Sequence, residues 1–150
     1  MQRSFSNKNT LITFLYVILF FAYTALSSIY LYLPPFLAVL FILFSKALKN
    51  EDTLYLLLIV FCLVVFEAEN GYVLFSSIIY FSLIYRYIMP KIVKTSSCNL
   101  CIKLITVILV YLGFFLFNVL LANIFLLPIP SINYYVIYYI LIEFLIVSML

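Results

Sequence analysis

Apolar and polar positions along this chain fall into long blocks: six apolar stretches are separated by short breaks that contain Pro, Gly, Asn or charged residues. Inside a bilayer, backbone N–H and C=O groups must find partners within the segment itself, which favours helices here. The pattern therefore predicts an all-α integral membrane protein with six transmembrane helices, whose approximate spans are 11–32, 35–48, 53–68, 72–89, 101–127 and 132–150.

The second and third stretches are short for membrane spans. At about 1.5 Å per residue each covers little more than about 20 Å, so we expect either a locally thinned bilayer or polar ends drawn into the interface. Merging the two into one span would bury four charged residues, Lys46, Lys49, Glu51 and Asp52. Each burial would cost on the order of 3 kcal/mol at mid-bilayer, so two separate short spans are the better prediction.

Composition supports a single transmembrane domain over residues 1–150. Hydrophobic residues make up 69% of the chain and charged residues 9%, whereas soluble domains are about one quarter charged. A chain of 150 residues can hold several spans in one domain, but it leaves no room for a separate folded soluble domain. A soluble enzyme is therefore excluded.

Basic residues occur only in alternate breaks. They are Arg3, Lys8, Lys46, Lys49, Arg86, Lys91, Lys94 and Lys103, and the breaks at 33–35, 67–71 and 128–131 contain none. Lys and Arg are retained on the cytoplasmic side of membrane proteins, so we expect an even number of spans with both termini cytoplasmic. The cluster Lys91, Lys94 and Lys103 is expected to contact anionic lipid headgroups, with an acidic cytoplasmic partner as the alternative, and no nucleic acid partner is expected.

The stretch VVFEAENGYVLF at 64–75 is a polar interruption on the predicted outer side, and it contains Glu67 and Gly71. One interpretation is a solvated turn, in which Gly71 adopts a backbone conformation that other residues resist. The other interpretation is a functional site, because the short third span could draw Glu67 below the surface to line a cavity or to contact a partner. The sequence leaves both open.

Glu143 interrupts the sixth apolar stretch and is the second anomaly. Counted from the outer ends at about 1.5 Å per residue, Glu143 lies about 17 Å deep and Arg86 about 21 Å deep. A carboxylate buried alone is costly, so we predict an interhelical ion pair between Arg86 and Glu143 with a structural role. The alternative is that Arg86 extends its side chain to the inner surface.

Other groups give weaker indications of chemistry. Cys98 and Cys101 form a C-x-x-C, a spacing used in redox exchange and in half of a zinc site. The chain has no His, and its remaining thiol is Cys62 in an apolar stretch, so neither a metal nor a cofactor is expected. Asn118, with Gly113, is typical of helix packing contacts in membranes. No nucleophile with a base is apparent, so we expect a non-enzyme.

The arrangement of the turns resembles the MreD family of rod-shape-determining membrane proteins. The matching residues are Pro35 in YLPPFLAVLF, with Glu67 and Gly71 in VVFEAENGYVLF. MreD proteins usually carry Asp where Glu67 stands, and further glycines where this chain has Leu63 and Phe75. The resemblance covers most of the chain in architecture and three residues in motif.

This resemblance implies a scaffold of cell-wall elongation in the bacterial inner membrane. The implied partners are MreC and, through it, the MreB filament and the RodA glycosyltransferase with its penicillin-binding partner. The implied fold is similar to the substrate-binding components of energy-coupling-factor transporters. An alternative function is a transporter component with an outward-facing cavity near Glu67, Asn118 and Asn123. A lipid-handling enzyme would need clustered acids, bases or metal ligands, which the sequence does not contain.

Overall fold

The structure is a computed structural model that describes residues 2–131 and 133–150, with side chains from Thr10 onward. Over this part of the chain it is all helical, without strands, as predicted. The helices are α1 (Gln2–Ile29), α2 (Leu37–Asn50), α3 (Thr53–Asn70), α4 (Ser76–Leu83), a π-helical segment (Ile84–Ile88), α5 (Met89–Thr95), α6 (Asn99–Phe125) and α7 (Tyr135–Met149). Because α4, the π-helical segment and α5 are continuous, these elements form six helical rods.

Three of the helices are long and apolar enough to cross a membrane: Thr10–Ile29, Thr53–Asn70 and Asn99–Phe125. Helix α3, predicted over 53–68, extends two residues further through Glu69 and Asn70 and has 18 residues. Helix α2, with 14 residues, is short as predicted. Helix α7 is also short, with 15 residues.

The rod that contains α4 continues through Pro90, where the sequence indicated a stop. Pro90 lies in the first turn of α5 and cannot donate a backbone hydrogen bond. The preceding turn widens into the π-helical segment, in which the N–H of Met89 bonds to the carbonyl of Ile84, five residues earlier. The wider turn lets the helix accommodate proline and extend to Thr95.

Helix α2 is short but central. It packs against α3, α6 and α7, whereas α1 packs mainly on α3. Its Phe41 is fully buried and meets Phe81 of α4 edge to face, with ring centroids 5.1 Å apart. Aromatic pairs in this geometry contribute about 0.5–1.5 kcal/mol beyond their buried area. The core therefore forms around a helix of only 14 residues.

The connections lie at two ends of the bundle. At the Gly71 end, the segments 30–36, 71–75 and 126–131 come together. Pro35 and Asn70, the residue before Gly71, line one small cavity, and residues of the second and third segments line another. At the opposite, Lys49 end, the α2–α3 turn lies beside Thr10 and Thr13 of α1. The three breaks without Lys or Arg are thus the ones that meet.

Candidate functional site

Glu67 is buried at the Gly71 end, with none of its surface exposed. Of the two interpretations of this stretch, the solvated one fails for Glu67, while the expectation for Gly71 is confirmed. Gly71 has φ 69 and ends α3, and its N–H bonds to the carbonyl of Glu67. The N–H of Tyr72 bonds to the same carbonyl at 3.0 Å. The two hydrogen bonds to this carbonyl accompany a reversal of the chain, after which the Glu67 side chain meets the next helix.

The Glu67 carboxylate accepts four hydrogen bonds at the N-terminus of α4. Its Oε2 accepts from the backbone N–H of Phe75 at 2.6 Å. Its Oε1 accepts from the backbone N–H of Ser77 at 2.5 Å, from the Ser77 hydroxyl at 2.6 Å and from the Ser76 hydroxyl at 3.0 Å. The first N–H groups of a helix have no partner within it, and the helix dipole favours a negative charge there. Glu67 is therefore the cap of α4.

The need for an external cap follows from the backbone of Phe75. This residue holds the N-cap position of α4 in the left-handed region, with φ 67, and no side chain caps the helix from that position. Phe36 precedes α2 in the same way, with φ 53. A left-handed conformation costs a non-glycine residue roughly 1–2 kcal/mol. Both helices thus begin at a strained phenylalanine and take their cap from elsewhere.

Glu143 supplies the second cap. Its side chain lies fully buried in α7, and its Oε2 accepts a hydrogen bond of 2.7 Å from the backbone N–H of Ala38 in the first turn of α2. Its Oε1 accepts a hydrogen bond from the Tyr111 hydroxyl on α6. The carboxylate therefore joins three helices, α2, α6 and α7, at one point.

The chain reaches this cap through a non-helical segment, residues 30–36, that descends into the bundle. Hydroxyls of other residues bond three of its carbonyls: Tyr139 donates to Leu31, Ser27 to Leu33 at 3.1 Å and Tyr23 to Pro34 at 2.8 Å. Tyr23 lies six residues, or about 9 Å, before the end of α1, so segment 30–36 runs back alongside the last turns of this helix. Irregular backbone at membrane depth is tolerated only where protein satisfies it. Pro35, the first motif residue, lies in this segment and has no N–H to satisfy.

The predicted ion pair between Arg86 and Glu143 is wrong. Arg86 is exposed on the π-helical segment, and the partners of Glu143 are Tyr111 and Ala38. Depth counting failed because α2 begins below the surface, which places backbone N–H groups at the level of Glu143. The alternative, that Arg86 extends its side chain to the inner membrane surface, stays a prediction.

An open cavity of about 430 Å³ lies at the Gly71 end. Its polar lining comes from Asn70 and Asn118, with Ser131, and segments 71–73 and 127–130 complete the wall. The side-chain N–H of Asn118 donates to the carbonyl of Phe114 at 2.9 Å. Asn118 lines this cavity as expected, whereas the residues that define it do not include Glu67 or Asn123.

Comparisons with known proteins assign the chain to no family. No family model matches the chain. No curated protein and no solved structure matches it either. The function must therefore be inferred from the residues and their geometry.

The thiols are divided between the interior and the surface. Cys62 is buried in α3, whereas Cys98 and Cys101 are exposed at the start of α6. Over the part of the chain that the structure describes, no three His, Cys, Asp or Glu side chains are grouped as metal ligands. The Cys98–Cys101 pair could supply two ligands at most from one copy of the chain.

The partners of the two carboxylates were not found from the sequence. Ser76 and Ser77 are both almost fully buried, and two adjacent serines at the start of an apolar stretch are a helix N-terminus signal that could have been used. Tyr111 is one of 14 tyrosines, and nothing in its local sequence distinguishes it. The remaining donors are backbone N–H groups, which carry no sequence signal.

Proposed function

We propose that this protein is a non-enzymatic scaffold with six membrane spans that binds another membrane protein along α1. By its resemblance to MreD, the partner is MreC, and the process is cell-wall elongation at the bacterial inner membrane. In this proposal both termini are cytoplasmic, and the Gly71 end faces outward. The similarity to energy-coupling-factor components belongs to the same proposal.

The observation that carries the proposal is the sparse packing of α1. Only 6% of the apolar part of α1 is buried within the chain, compared with 28% of that of α3 and 33% of that of α6. Large apolar side chains are exposed on more than one side of it, including Phe14, Leu15 and Leu19. Membrane helices associate through packing and interhelical hydrogen bonds rather than through hydrophobicity. A long helix that uses one side for its own bundle retains the others for a partner.

The two buried carboxylates support the same function. Glu67 and Glu143 both have their oxygens committed to helix N-termini and hydroxyls. An acid or base in a reaction must face its substrate and change its protonation state. These carboxylates instead hold the bundle together, as a rigid scaffold requires.

The test compares two matched pairs of exposed leucines. Leu15 and Leu19 on α1 are 59% and 57% exposed, and Leu116 and Leu120 on α6 are 62% and 61% exposed. We expect the α1 pair L15W/L19W to reduce recovery of MreC with the protein from mild detergent by about tenfold, or about 1.4 kcal/mol. The α6 pair L116W/L120W should bind normally. Equal recovery with both variants would reject α1 as the interface, and unchanged cell width after depletion would reject the elongation role.

The cavity at the Gly71 end favours a second candidate function. Its volume of about 430 Å³ and its amide lining fit a small, uncharged polar solute. The test is a panel of such solutes added to the purified protein while its melting temperature is measured. A stabilising solute should lose its effect in Asn118→Leu and keep it in Asn123→Leu, because Asn123 is exposed outside this lining. A panel without any stabilising solute would remove this candidate.

A further inference from the structure

Cys98 and Cys101 are placed as an asymmetric pair at the N-terminus of α6. Cys98 is the N-cap residue, with φ −95 and ψ 120, and Cys101 lies three residues later in the first turn. Residues three apart on a helix are neighbours on one face, and the Cys101 thiol is hydrogen-bonded to the Cys98 sulfur. Both thiols are exposed. The pair is thus accessible to a reactant and close enough to close on itself.

The environments of the two sulfurs differ. The pKa of the Cys98 thiol is lowered, first because the Cys101 thiol donates to its sulfur, and further because the backbone N–H groups of Cys101 and Leu100 face it. The Cys101 thiol is the donor in this hydrogen bond, so its own proton is engaged by Cys98. A helix N-terminus stabilises thiolates generally. Cys98 therefore has a larger thiolate fraction at neutral pH than an ordinary cysteine.

We propose that Cys98 and Cys101 form a dithiol–disulfide couple that exchanges with disulfides at the membrane surface, with Cys98 as the attacking thiol and Cys101 as the resolving thiol. The co-reactant is a disulfide of a small thiol or of a protein. The proposal is independent of the scaffold function, because it uses residues outside α1 and outside the Gly71 end.

The exchange proceeds in two steps. The Cys98 thiolate attacks one sulfur of the incoming disulfide; a Cys98–partner bond forms, the partner's S–S bond breaks, and its other sulfur leaves as a thiolate that takes a proton from water. Cys101 then gives its proton to water and attacks the Cys98 sulfur, which releases the second partner sulfur as a thiolate. Two electrons pass from the dithiol to the partner, which ends as two thiols, while Cys98 and Cys101 end as a disulfide.

The experiment uses the full chain in detergent with glutathione disulfide as the probe and mass spectrometry as the readout. In the wild type we expect a Cys98–Cys101 disulfide without bound glutathione. In Cys101→Ser the mixed disulfide should accumulate at Cys98, about tenfold faster than it forms at Cys101 in Cys98→Ser. Cys62, 7% exposed within α3, is the internal unreactive thiol. Both substitutions are at exposed positions, and circular dichroism verifies that each variant is folded.

The opposite results are equally definite. A wild-type protein that retains glutathione on both cysteines, or that forms no internal disulfide, overturns the couple. Equal rates of mixed-disulfide formation in the two variants overturn the assigned roles. If the rate difference persists after unfolding in guanidinium chloride, where the helix is lost, it arises from local sequence, which overturns the assignment of Cys98 as the attacking thiol by its place at the helix N-terminus.

Discussion

Glu67 and Glu143 have the same structural role on different helices: each places a buried carboxylate at the N-terminus of another helix that begins at a left-handed phenylalanine. Glu67 reaches the next helix in the chain, whereas Glu143 reaches a helix 105 residues earlier. A carboxylate in an apolar interior is costly unless its oxygens are hydrogen-bonded. Here the two requirements, orphan N–H groups and unpaired carboxylates, satisfy each other.

Replacing Glu67 should destabilise the protein because the donors at the N-terminus of α4 lose their acceptor oxygens. In Glu67→Gln one of the two acceptor oxygens becomes an N–H₂ donor, which must face either the N–H of Phe75 or the three donors from Ser76 and Ser77. We expect a loss of about 2 kcal/mol, and more in Glu67→Ala, since an unsatisfied buried polar group costs about 1–3 kcal/mol. Thermal unfolding in detergent measures the loss. Glu69→Gln, at an exposed neighbour, is the control.

The contact between Tyr111 and Glu143 should appear as a coupling energy. Tyr111→Phe and Glu143→Gln each remove part of the contact, and we expect the double variant to be less destabilised than the sum of the two by at least about 1 kcal/mol. Arg86→Gln should change stability by no more than about 0.5 kcal/mol, because Arg86 is exposed. A large loss in Arg86→Gln would restore the ion pair that the structure excludes.

Substituting alanine for each of the two glycines should destabilise the protein for a different reason. A Cβ at Gly113 would lie 1.7 Å from the Tyr80 hydroxyl oxygen, which itself donates to the carbonyl of Leu109 at 2.7 Å. Overpacking of this kind costs about 1–3 kcal/mol. A Cβ at Gly71 meets nothing within 4 Å, so Gly71→Ala should lose only the roughly 1–2 kcal/mol of left-handed strain.

A second substitution distinguishes the two causes. Tyr80→Phe removes the hydroxyl that collides with residue 113, so it should partly rescue Gly113→Ala and leave Gly71→Ala unchanged. The test compares the melting temperatures of the wild type, the three single variants and the two double variants that combine Tyr80→Phe with each glycine substitution. No rescue at position 113 would mean that the clash is relieved by movement of α4 away from α6.

The pH dependence of alkylation should separate the two surface thiols. Only the thiolate reacts, so the lowered pKa of Cys98 shifts its half-maximal rate to a pH below that of a free cysteine and below that of Cys101, which donates to the Cys98 sulfur. Alkylation with iodoacetamide followed by peptide mass spectrometry gives both rates in one sample. The two midpoints should converge in the unfolded protein. Identical midpoints in the folded protein would contradict the hydrogen bond between the thiols.

Six helical rods were predictable from the sequence because apolar blocks and polar breaks separate them, but the bounds were less so: α1 begins at Gln2 and not at residue 11, and the fourth rod extends to Thr95 and not to residue 89. Gly71 was predictable as well, since its φ of 69 is a conformation that glycine adopts freely. The position of Glu67 was harder: Glu is a good helix former, so α3 continued past the point where polarity suggested a turn. The partner of Glu143 could not be found by counting residues from the outer ends of the helices, because that count assumes that every helix starts at the membrane surface.

The hydrogen bond from Ala38 to Glu143 also determines the order in which the helices can assemble. The nascent chain presents α2 long before α7 exists, and at about 5–20 residues per second the 105 residues between them take roughly 5–20 s to synthesise. During this interval the start of α2 has no carboxylate and must remain hydrated or find a temporary ligand. The native arrangement around the start of α2 therefore forms late, when α7 has been synthesised. A ribosome-stalled intermediate without α7 should be cut in segment 30–36 by a membrane protease far more readily than the finished protein.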